Sequence, residues 1–182
     1  MKGGAEREAF LVLRAQSGDR EALDALLASA QEPLYRYLLS LVRGRHLAED
    51  ALQETFVRVY RKLAYLREPE LFRQWAYRIA TREAFRQLKR ERPWAEQVRD
   101  EETLGALAAP PPREEFAHGL SERLRETVAA LSPASRAVVV LYYLHEMSLE
   151  ETAAVLGVPL GTVKSRLAYG LGALRRQLKE PE

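Results

Sequence analysis

The residues best suited to chemistry lie near the C-terminus, at the start of the last predicted helix. Short polar and basic side chains follow one another there at i, i+3, i+4 and i+7, namely Thr162, Ser165, Arg166 and Tyr169, with Lys164 beside them. Such side chains hydrogen-bond to base edges and neutralise phosphates, and the major groove admits an α-helix. The pattern predicts a DNA-reading helix. The alternative is an ordinary helical hairpin with a solvated face.

The elements around this helix favour the DNA-binding interpretation. Ser148 and Glu151 have the spacing of a capping box, which opens a short helix that ends at Gly157. A longer helix starts between Pro159 and Thr162. A short helix, a turn with glycine and a longer helix form the helix-turn-helix pattern. The buried side of the longer helix is predicted to comprise Val163, Leu167, Leu171, Leu174 and Leu178.

A second set of candidate residues lies on the fourth predicted helix. Trp75 and Tyr77 stand beside a basic stripe at helical spacing, formed by Arg78, Arg82, Arg86 and Lys89. Arginines neutralise phosphates, and aromatic rings stack on unpaired bases, so this combination suits the holding of single-stranded DNA. A solvated arginine face with both aromatic side chains in the core remains the alternative.

A third set of candidate residues is acidic. The spacing of Glu49, Asp50, Gln53 and Glu54 places them on one helix face, opposite a predicted apolar stripe of Leu52, Phe56, Val59 and Leu63. This face would repel DNA and would suit a basic protein surface. An acidic face that is merely solvated is the alternative.

Helical periodicity extends over both ends of the chain. In the first part, Asp19 is expected to cap one helix, a second follows Pro33 and stops at Gly44, a third begins near Leu47, and the fourth buries Phe72, Trp75, Ala76 and Ile79. In the second part, one helix carries Phe116, Leu120, Leu124, Val128 and Leu131. Ser132 and Pro133 then read as the N-cap and first residue of a helix that continues through Tyr142.

Charge and composition separate these helices into modules. Residues 56–92 hold 11 Arg/Lys and 4 Glu, whereas residues 93–130 hold 4 Arg and 8 Asp/Glu. Proline, alanine, glycine and acidic residues dominate 93–113, which is typical of a flexible linker stiffened by its terminal prolines. We therefore predict an all-α protein with two small helical domains, 1–92 and 114–182, joined by the linker 93–113.

Composition also limits the class of function. The chain of 182 residues has net charge +2 and no cysteine, and its three histidines are scattered. We expect no metal, no cofactor, no catalytic residues and no small-molecule substrate. No apolar run reaches the ~18 residues of a membrane span, and the N-terminus lacks a signal-peptide core. A cytoplasmic protein that is not inserted in the membrane is expected.

Three stretches of the chain carry a family resemblance. Residues 48–60, AEDALQETFVRVY, resemble conserved region 2.2 of extracytoplasmic-function sigma factors, the smallest factors of the sigma-70 family. Residues 72–80, FRQWAYRIA, resemble their region 2.3. Residues 131–178, including GTVKSRL at 161–167, are similar to their region 4. The resemblance covers both predicted modules and leaves out the linker.

The resemblance implies roles for individual residues. Polymerase binding maps onto Glu49, Asp50, Gln53 and Glu54. Melting and reading of the −10 element map onto Arg61, Arg67, Arg73, Trp75, Tyr77, Arg78, Arg82, Lys89 and Arg90, with the loop around Leu63 to Glu70 holding a flipped-out base. Reading of the −35 element maps onto Thr162, Lys164, Ser165, Arg166, Ala168 and Tyr169.

The resemblance also implies partners. These are core RNA polymerase, through its β′ clamp coiled coil and β flap, and promoter DNA, double-stranded at −35 and single-stranded at −10. An anti-sigma factor is a further expected partner. Where the family usually has Arg-Asn after Ile-Ala, this chain has Thr81 and Arg82, and Arg86 stands where Asp is common. Tyr169 and Leu171 replace arginines common in the last helix, so the family's promoter preference does not carry over.

Two other classes of function stay open at this point. A free-standing helix-turn-helix regulator would share the last module, although it would normally bring a dimerisation or ligand domain. A nucleic-acid hydrolase would need carboxylates or histidines gathered at a cleft, whereas the carboxylates here lie on an amphipathic helix face. Binding to core RNA polymerase separates the first alternative from a sigma factor, and metal-dependent cleavage tests the second.

Overall fold

The computed structural model describes residues 2–42, 44–91 and 122–179. Every regular element in these ranges is helical and none is a strand, which confirms the all-α fold class. The chain divides into two compact units, Met1–Gln87 and Leu88–Glu182. The linker predicted at 93–113 lies outside the described residues, as do Phe116 and Leu120, so the predicted domain boundaries remain a prediction.

The first unit contains four long helices and two short 3₁₀ turns. Its elements are α1 (Lys2–Gln16), α2 (Arg20–Leu41), α3 (Arg45–Lys62), the turns Leu63–Tyr65 and Pro69–Leu71, and α4 (Phe72–Glu91). Helix α2 packs against both α1 and α3, and α1 also packs against both turns.

Helix α1 was not predicted from the sequence. It buries Val12 completely and ends three residues before Asp19. The Asp19 carboxylate accepts a hydrogen bond from the Ala22 backbone N–H at 3.0 Å. The predicted capping role of Asp19 is therefore confirmed. Arg14 approaches the same carboxylate at 2.5 Å, which ties the end of α1 to the start of α2.

The prediction of separate helices before and after Pro33 is wrong, because α2 runs through the proline. Proline removes one backbone donor and disfavours a helix interior by about 3 kcal/mol. The stripe of Ala22, Leu26, Ala30, Leu34 and Leu38 is buried on one continuous face, while Pro33 itself is exposed. Each large apolar side chain buried this way contributes roughly 1.5–3 kcal/mol, so the continuous stripe outweighs the proline.

The start and the buried face of α3 also differ from the prediction. Gly44 does not end α2 but is the N-cap of α3, with a φ of 125° that favours glycine. The buried side chains of α3 are Ala48, Ala51, Thr55 and Val59, whereas Leu52 and Phe56 are only half-buried. Small residues let neighbouring backbones approach closely. A search for a stripe of large apolar residues therefore misses a buried face that consists of small ones.

The second unit is built around its last helix. Its described elements are α5 (Glu122–Ala130), α6 (Pro133–Val139), a π-helical turn (Val140–Leu144), α7 (Leu149–Leu156) and α8 (Leu160–Lys179). Helix α8 packs against α5, α6 and α7. The predicted N-cap is confirmed, because the Ser132 hydroxyl accepts from the Ser135 backbone N–H at 3.3 Å.

Helix α6 ends earlier than predicted. The sequence suggested a helix through Tyr142, but the backbone widens into a π turn at Val140, where the His145 N–H donates to the Val140 carbonyl at 3.1 Å. Glu146 follows with a φ of 55°, an uncommon conformation for a residue with a side chain. The turn keeps Leu141 and Met147 buried while it redirects the chain towards α7.

Arg136 joins α5 to α6. Its guanidinium is buried and donates to the carbonyls of Val128 at 3.1 Å and Leu131 at 2.9 Å, and also to the Ala129 carbonyl. These carbonyls belong to the C-terminal end of α5, where helical partners are lacking and a cation is favoured by the helix dipole. The arginine therefore fixes the position of α5 within the second unit.

Gly170 is required by the contact between α6 and α8. A Cβ at this position would lie 2.8 Å from Val139 Cγ2, whereas a Cβ at Gly172 would meet only the end of the Arg176 side chain at 3.8 Å. Overpacking of this kind destabilises a core by about 1–3 kcal/mol. We expect Gly170→Ala to lower the thermal midpoint and Gly172→Ala to maintain or raise it, as measured by circular dichroism. Equal stability of the two variants would contradict this packing.

Candidate nucleic-acid interface

The second unit contains the predicted helix-turn-helix. Ser148 Oγ accepts from the Glu151 N–H at 3.0 Å, and the Glu151 carboxylate accepts from the Ser148 N–H at 2.7 Å, so the capping box is confirmed. Helix α7 ends at Gly157, which has a left-handed φ of 68°. Helix α8 starts at Leu160, within the range predicted. The short turn 157–159 sets α8 against α7 and leaves its first turns at the surface.

The two sides of α8 are clearly divided. Val163, Leu167, Leu171 and Leu174 are buried as predicted, and the side chain of Leu178 lies outside the described residues. On the other positions Lys164 is exposed, while Thr162, Ser165, Arg166, Ala168 and Tyr169 are half-buried. Because residues two apart on a helix point about 160° away from each other, Lys164 and Arg166 lie on opposite flanks. Together they can contact both walls of a groove.

Helix α4 presents cations to solvent. Arg73, Arg78, Arg82, Lys89 and Arg90 are exposed, and so are Arg61 and Arg67 on the segment before it. Trp75 is half-buried and its ring centroid lies 6.1 Å from that of Phe72. The indole is thus held by the core on one side and accessible on the other. A cationic surface with an anchored aromatic ring can bind the backbone and stack a base of an unpaired strand.

Tyr77 does not belong to this surface. Its side chain is 2 % exposed, and its ring centroid lies 5.1 Å from that of Tyr37 on α2. The Arg73 guanidinium lies 5.9 Å from the Tyr77 ring centroid. Burial raises the pKa of the Tyr77 hydroxyl to about 12. The prediction that this ring stacks on a base is therefore corrected, because the ring already packs in the core.

Arg86 also does not belong to the exposed basic stripe, contrary to the prediction. The Glu83 carboxylate is 3 % exposed and pairs with both Arg58 of α3, at 2.5 Å, and Arg86. A buried charge of this kind needs a partner, and two arginines that are each 38 % exposed provide it. The pairing joins α3 to α4 and leaves Arg78, Arg82 and Lys89 as the exposed cations of the stripe.

The acidic face of α3 points to solvent. Glu49, Gln53 and Glu54 are exposed, and the side chain of Asp50 is 48 % exposed with His46 Nε2 at 3.7 Å. At about 100° per residue, these four positions lie opposite the buried Ala48 and Thr55. Their carboxylates are not used by an ion pair to another helix among the described residues. The face can therefore receive a basic protein surface.

Neither a metal-binding cluster nor a membrane-spanning helix is found among the described residues. They hold no group of three or more His, Cys, Asp or Glu residues placed to bind a metal ion. None of their helices combines the length and the apolar character needed to cross a membrane.

Comparison with known proteins decides the family. The family model of Sigma-70 region 2 matches residues 26–93, and that of Sigma-70, region 4 matches residues 128–176. The chain is 30 % identical to the RNA polymerase sigma-H factor of Pseudomonas aeruginosa over 96 % of this chain and 95 % of that protein. It is an extracytoplasmic-function sigma factor of the sigma-70 family.

Further relatives agree with this assignment. The sigma factor shares 28 % identity with the extracytoplasmic-function sigma factor SigW of Bacillus subtilis, over 93 % of this chain and 95 % of that protein. The solved structure of CnrH in complex with the cytosolic domain of CnrY matches with a TM-score of 0.70 and 28 % identity, covering 94 % of this chain and 97 % of CnrH.

The sigma factor directs bacterial RNA polymerase to specific promoters and initiates transcription there. The matches extend over both units, as expected of a sigma factor and not of a free-standing helix-turn-helix regulator. Thr81 is buried in the first unit. The Thr81 hydroxyl donates to the Tyr77 carbonyl at 2.8 Å and therefore accepts from the Tyr37 hydroxyl at 2.7 Å. The Thr81 side chain thus belongs to the core of the sigma factor, whereas Arg82 lies on its surface.

Sequence patterns missed several exposed side chains of the sigma factor. Val57 and Tyr60 are 38 % and 66 % exposed, and they follow Gln53 by four and seven residues on the acidic face. Tyr65, in the first 3₁₀ turn, is 81 % exposed. The exposure of Val57 and Tyr60 can be predicted only when the buried face of α3 is placed on Ala48, Ala51 and Thr55.

Proposed function

We propose that the exposed surfaces of this sigma factor have separate roles in transcription initiation. The acidic face of α3 binds the β′ clamp coiled coil, the cations of α4 hold the opened −10 strand, and α8 reads the −35 element as duplex. The observation that carries this proposal is the separation of charge by surface: one face of α3 exposes Glu49 and Glu54, whereas α4 exposes Arg78, Arg82 and Lys89. A surface for a basic protein and a surface for DNA thus coexist on one unit.

The opened strand would lie along α4 and the loop before it. Trp75 supplies an anchored ring for stacking, and the exposed Arg61, Arg67, Arg73 and Arg90 supply charge for phosphates. Tyr65, exposed on the loop, is a second ring within the same segment. Stacking on aromatic rings tolerates any base, so these rings would hold the strand while other contacts select the sequence.

The duplex contact would be made by the first two turns of α8. Ser165 and Thr162 stand among half-buried residues, where short side chains allow the helix to enter a groove closely. Lys164 and Arg166, on opposite flanks, would bind base edges and phosphate respectively. Ala168 and Tyr169 complete the surface, and the β flap of polymerase is the proposed protein partner of this unit.

Regulation by another protein is a further part of the proposal. The similar protein CnrH was solved in complex with the cytosolic domain of CnrY. By analogy we infer that this chain is bound by a regulatory protein, an anti-sigma factor. The factor would act in the cytoplasm, beside the polymerase, and would have no catalytic activity of its own. Residues 93–113 would serve as a flexible linker between the two units.

Trp75→Ala tests the strand-holding role. Stacking contributes about 1–3 kcal/mol per base, so we expect open-complex formation to fall roughly 5- to 150-fold, with Trp75→Phe intermediate. Permanganate reactivity of unpaired thymines, measured with the reconstituted holoenzyme, reports the opening. The affinity for core polymerase should be unchanged, and the thermal midpoint is measured alongside because Trp75 packs on Phe72. Normal opening by Trp75→Ala would refute this role for α4.

A further inference from the structure

A side chain of α1 holds the loop that precedes α4. Gln16 Nε2 donates to the carbonyl oxygens of both Leu63 and Leu66, each at 2.8 Å. The amide has two N–H groups, and both are used by these two acceptors. The two carbonyls stand on either side of Ala64 and Tyr65, so the amide closes the backbone around the exposed tyrosine.

The packing of α1 also indicates that this helix holds the loop that precedes α4. Helix α1 contacts both 3₁₀ turns, Leu63–Tyr65 and Pro69–Leu71, while Gln16 is half-buried between the helix and the loop. Leu63 is 4 % exposed, whereas Tyr65 is 81 % exposed. The loop is thus fixed on its inner side and presents Tyr65 on its outer side.

Glu8 connects α1 to the start of α4. Burial raises the pKa of the Glu8 carboxyl, and the nearby positive charge of Arg73 opposes this rise. Arg73 is exposed at the beginning of the cationic surface. Helix α1 therefore approaches the proposed −10 surface at two points, the loop and the first turn of α4.

We propose that Gln16 is a positioning residue for promoter opening: it preorganises the loop 63–66 so that Tyr65 meets an unpaired base without a prior ordering step. This inference rests on the proposed function of the −10 surface. A loop that is already ordered loses less conformational entropy on binding, so its ligand binds more tightly. Gln16 itself touches no DNA in this account.

Two substitutions test the proposal. Gln16→Glu keeps the shape but removes both donors and places a carboxylate against two carbonyl oxygens, while Gln16→Met keeps the volume without polarity. We expect each to slow open-complex formation by about tenfold, because two hydrogen bonds that order a binding loop are lost. The matched controls are Gln31→Glu and Gln31→Met, at an exposed glutamine of α2, which should leave opening unchanged.

A double-mutant cycle with Tyr65→Ala separates positioning from a general structural role. If Gln16 acts through Tyr65, opening by Gln16→Glu/Tyr65→Ala equals that of Tyr65→Ala alone. Backbone amide exchange at residues 64–68 should also accelerate in Gln16→Met, with polymerase affinity preserved. The proposal would be overturned if the effects of the Gln16 and Tyr65 substitutions on opening multiplied in the cycle, or if both Gln16 variants opened the promoter normally.

Trp75→Ala in the same assay distinguishes a failure of the positioning role of Gln16 from a failure of the proposed −10 surface. Impaired opening by Trp75→Ala together with normal opening by the Gln16 variants refutes only the positioning role. Normal opening by Trp75→Ala refutes the proposed −10 surface, on which the role of Gln16 depends. Impaired opening by Trp75→Ala and by both Gln16 variants, with equality in the cycle, supports both the positioning role and the −10 surface.

Discussion

Reversing two charges on α3 is expected to lower the affinity of the sigma factor for core RNA polymerase by about tenfold or more. The change is Asp50→Lys with Glu54→Lys. Both side chains lie on the exposed acidic face, so the fold does not need them. Charge complementarity across an interface is replaced by repulsion, and 1.4 kcal/mol already corresponds to tenfold in affinity. Fluorescence titration of labelled factor with core polymerase measures the loss.

The control for this variant carries the same charge change on another helix. Glu21 and Asp24 are exposed on α2, and Glu21→Lys with Asp24→Lys alters the net charge equally. Circular dichroism should show unchanged helicity for both double variants. Wild-type affinity in Asp50→Lys/Glu54→Lys, or an equal loss in the control, would mean that the acidic face is not the docking surface.

Removing the two flanking cations of α8 is expected to have a comparably large effect on transcription. A bidentate base contact in a specific protein–DNA interface is worth about 1–3 kcal/mol, and a phosphate contact adds salt-dependent affinity. Lys164→Ala with Arg166→Ala should therefore reduce run-off transcription from a −35-dependent promoter by at least about tenfold. The salt dependence of promoter binding should also become shallower, because fewer counterions are released.

Exposed cations later on the same helix provide the comparison. Arg175→Ala with Arg176→Ala removes the same charge from the C-terminal part of α8. Transcription with this variant should stay near the wild-type level if recognition uses the first two turns. A larger loss in the Arg175/Arg176 variant than in the Lys164/Arg166 variant would place the DNA contact elsewhere on the helix.

The features that sequence predicted well depend on local interactions. The caps at Asp19, Ser132 and Ser148 each join residues three apart in the chain, so their residue types alone indicate them. The turn at Gly157 is local in the same sense. For this reason the helix-turn-helix was located nearly to the residue.

The features that sequence missed depend on contacts between distant segments. Tyr77 and Trp75 look alike in a stacking pattern, but only the contact of Tyr77 with Tyr37, forty residues away, places it in the core. Arg86 pairs with Glu83, only three residues away, but the second partner of this carboxylate, Arg58 of α3, is visible only in the fold. The sequence of α1 has no strong pattern that marks the start of a helix. This helix contributes to the fold through the buried Val12 and through the contact of Gln16 with the loop.

We propose that promoter specificity arises when polymerase holds the two recognition surfaces together. The factor has net charge +2, with an acidic face on α3 that offsets the cations of α4, so its own attraction for duplex DNA is weak. Unpairing bases costs a few kcal/mol, and one small helix-turn-helix makes too few contacts to offset it. Polymerase would fix the spacing of the two surfaces and would raise their effective concentration on a two-part promoter.

The most direct measurement is fluorescence anisotropy with a labelled promoter fragment and an unrelated duplex of equal length, at one fixed salt concentration. The fragment is one transcribed in run-off assays by core polymerase with this factor. We expect the free factor to bind both duplexes weakly and about equally, and the holoenzyme to prefer the promoter by about 100-fold or more. Tight, sequence-specific binding of the promoter by the free factor would contradict the account.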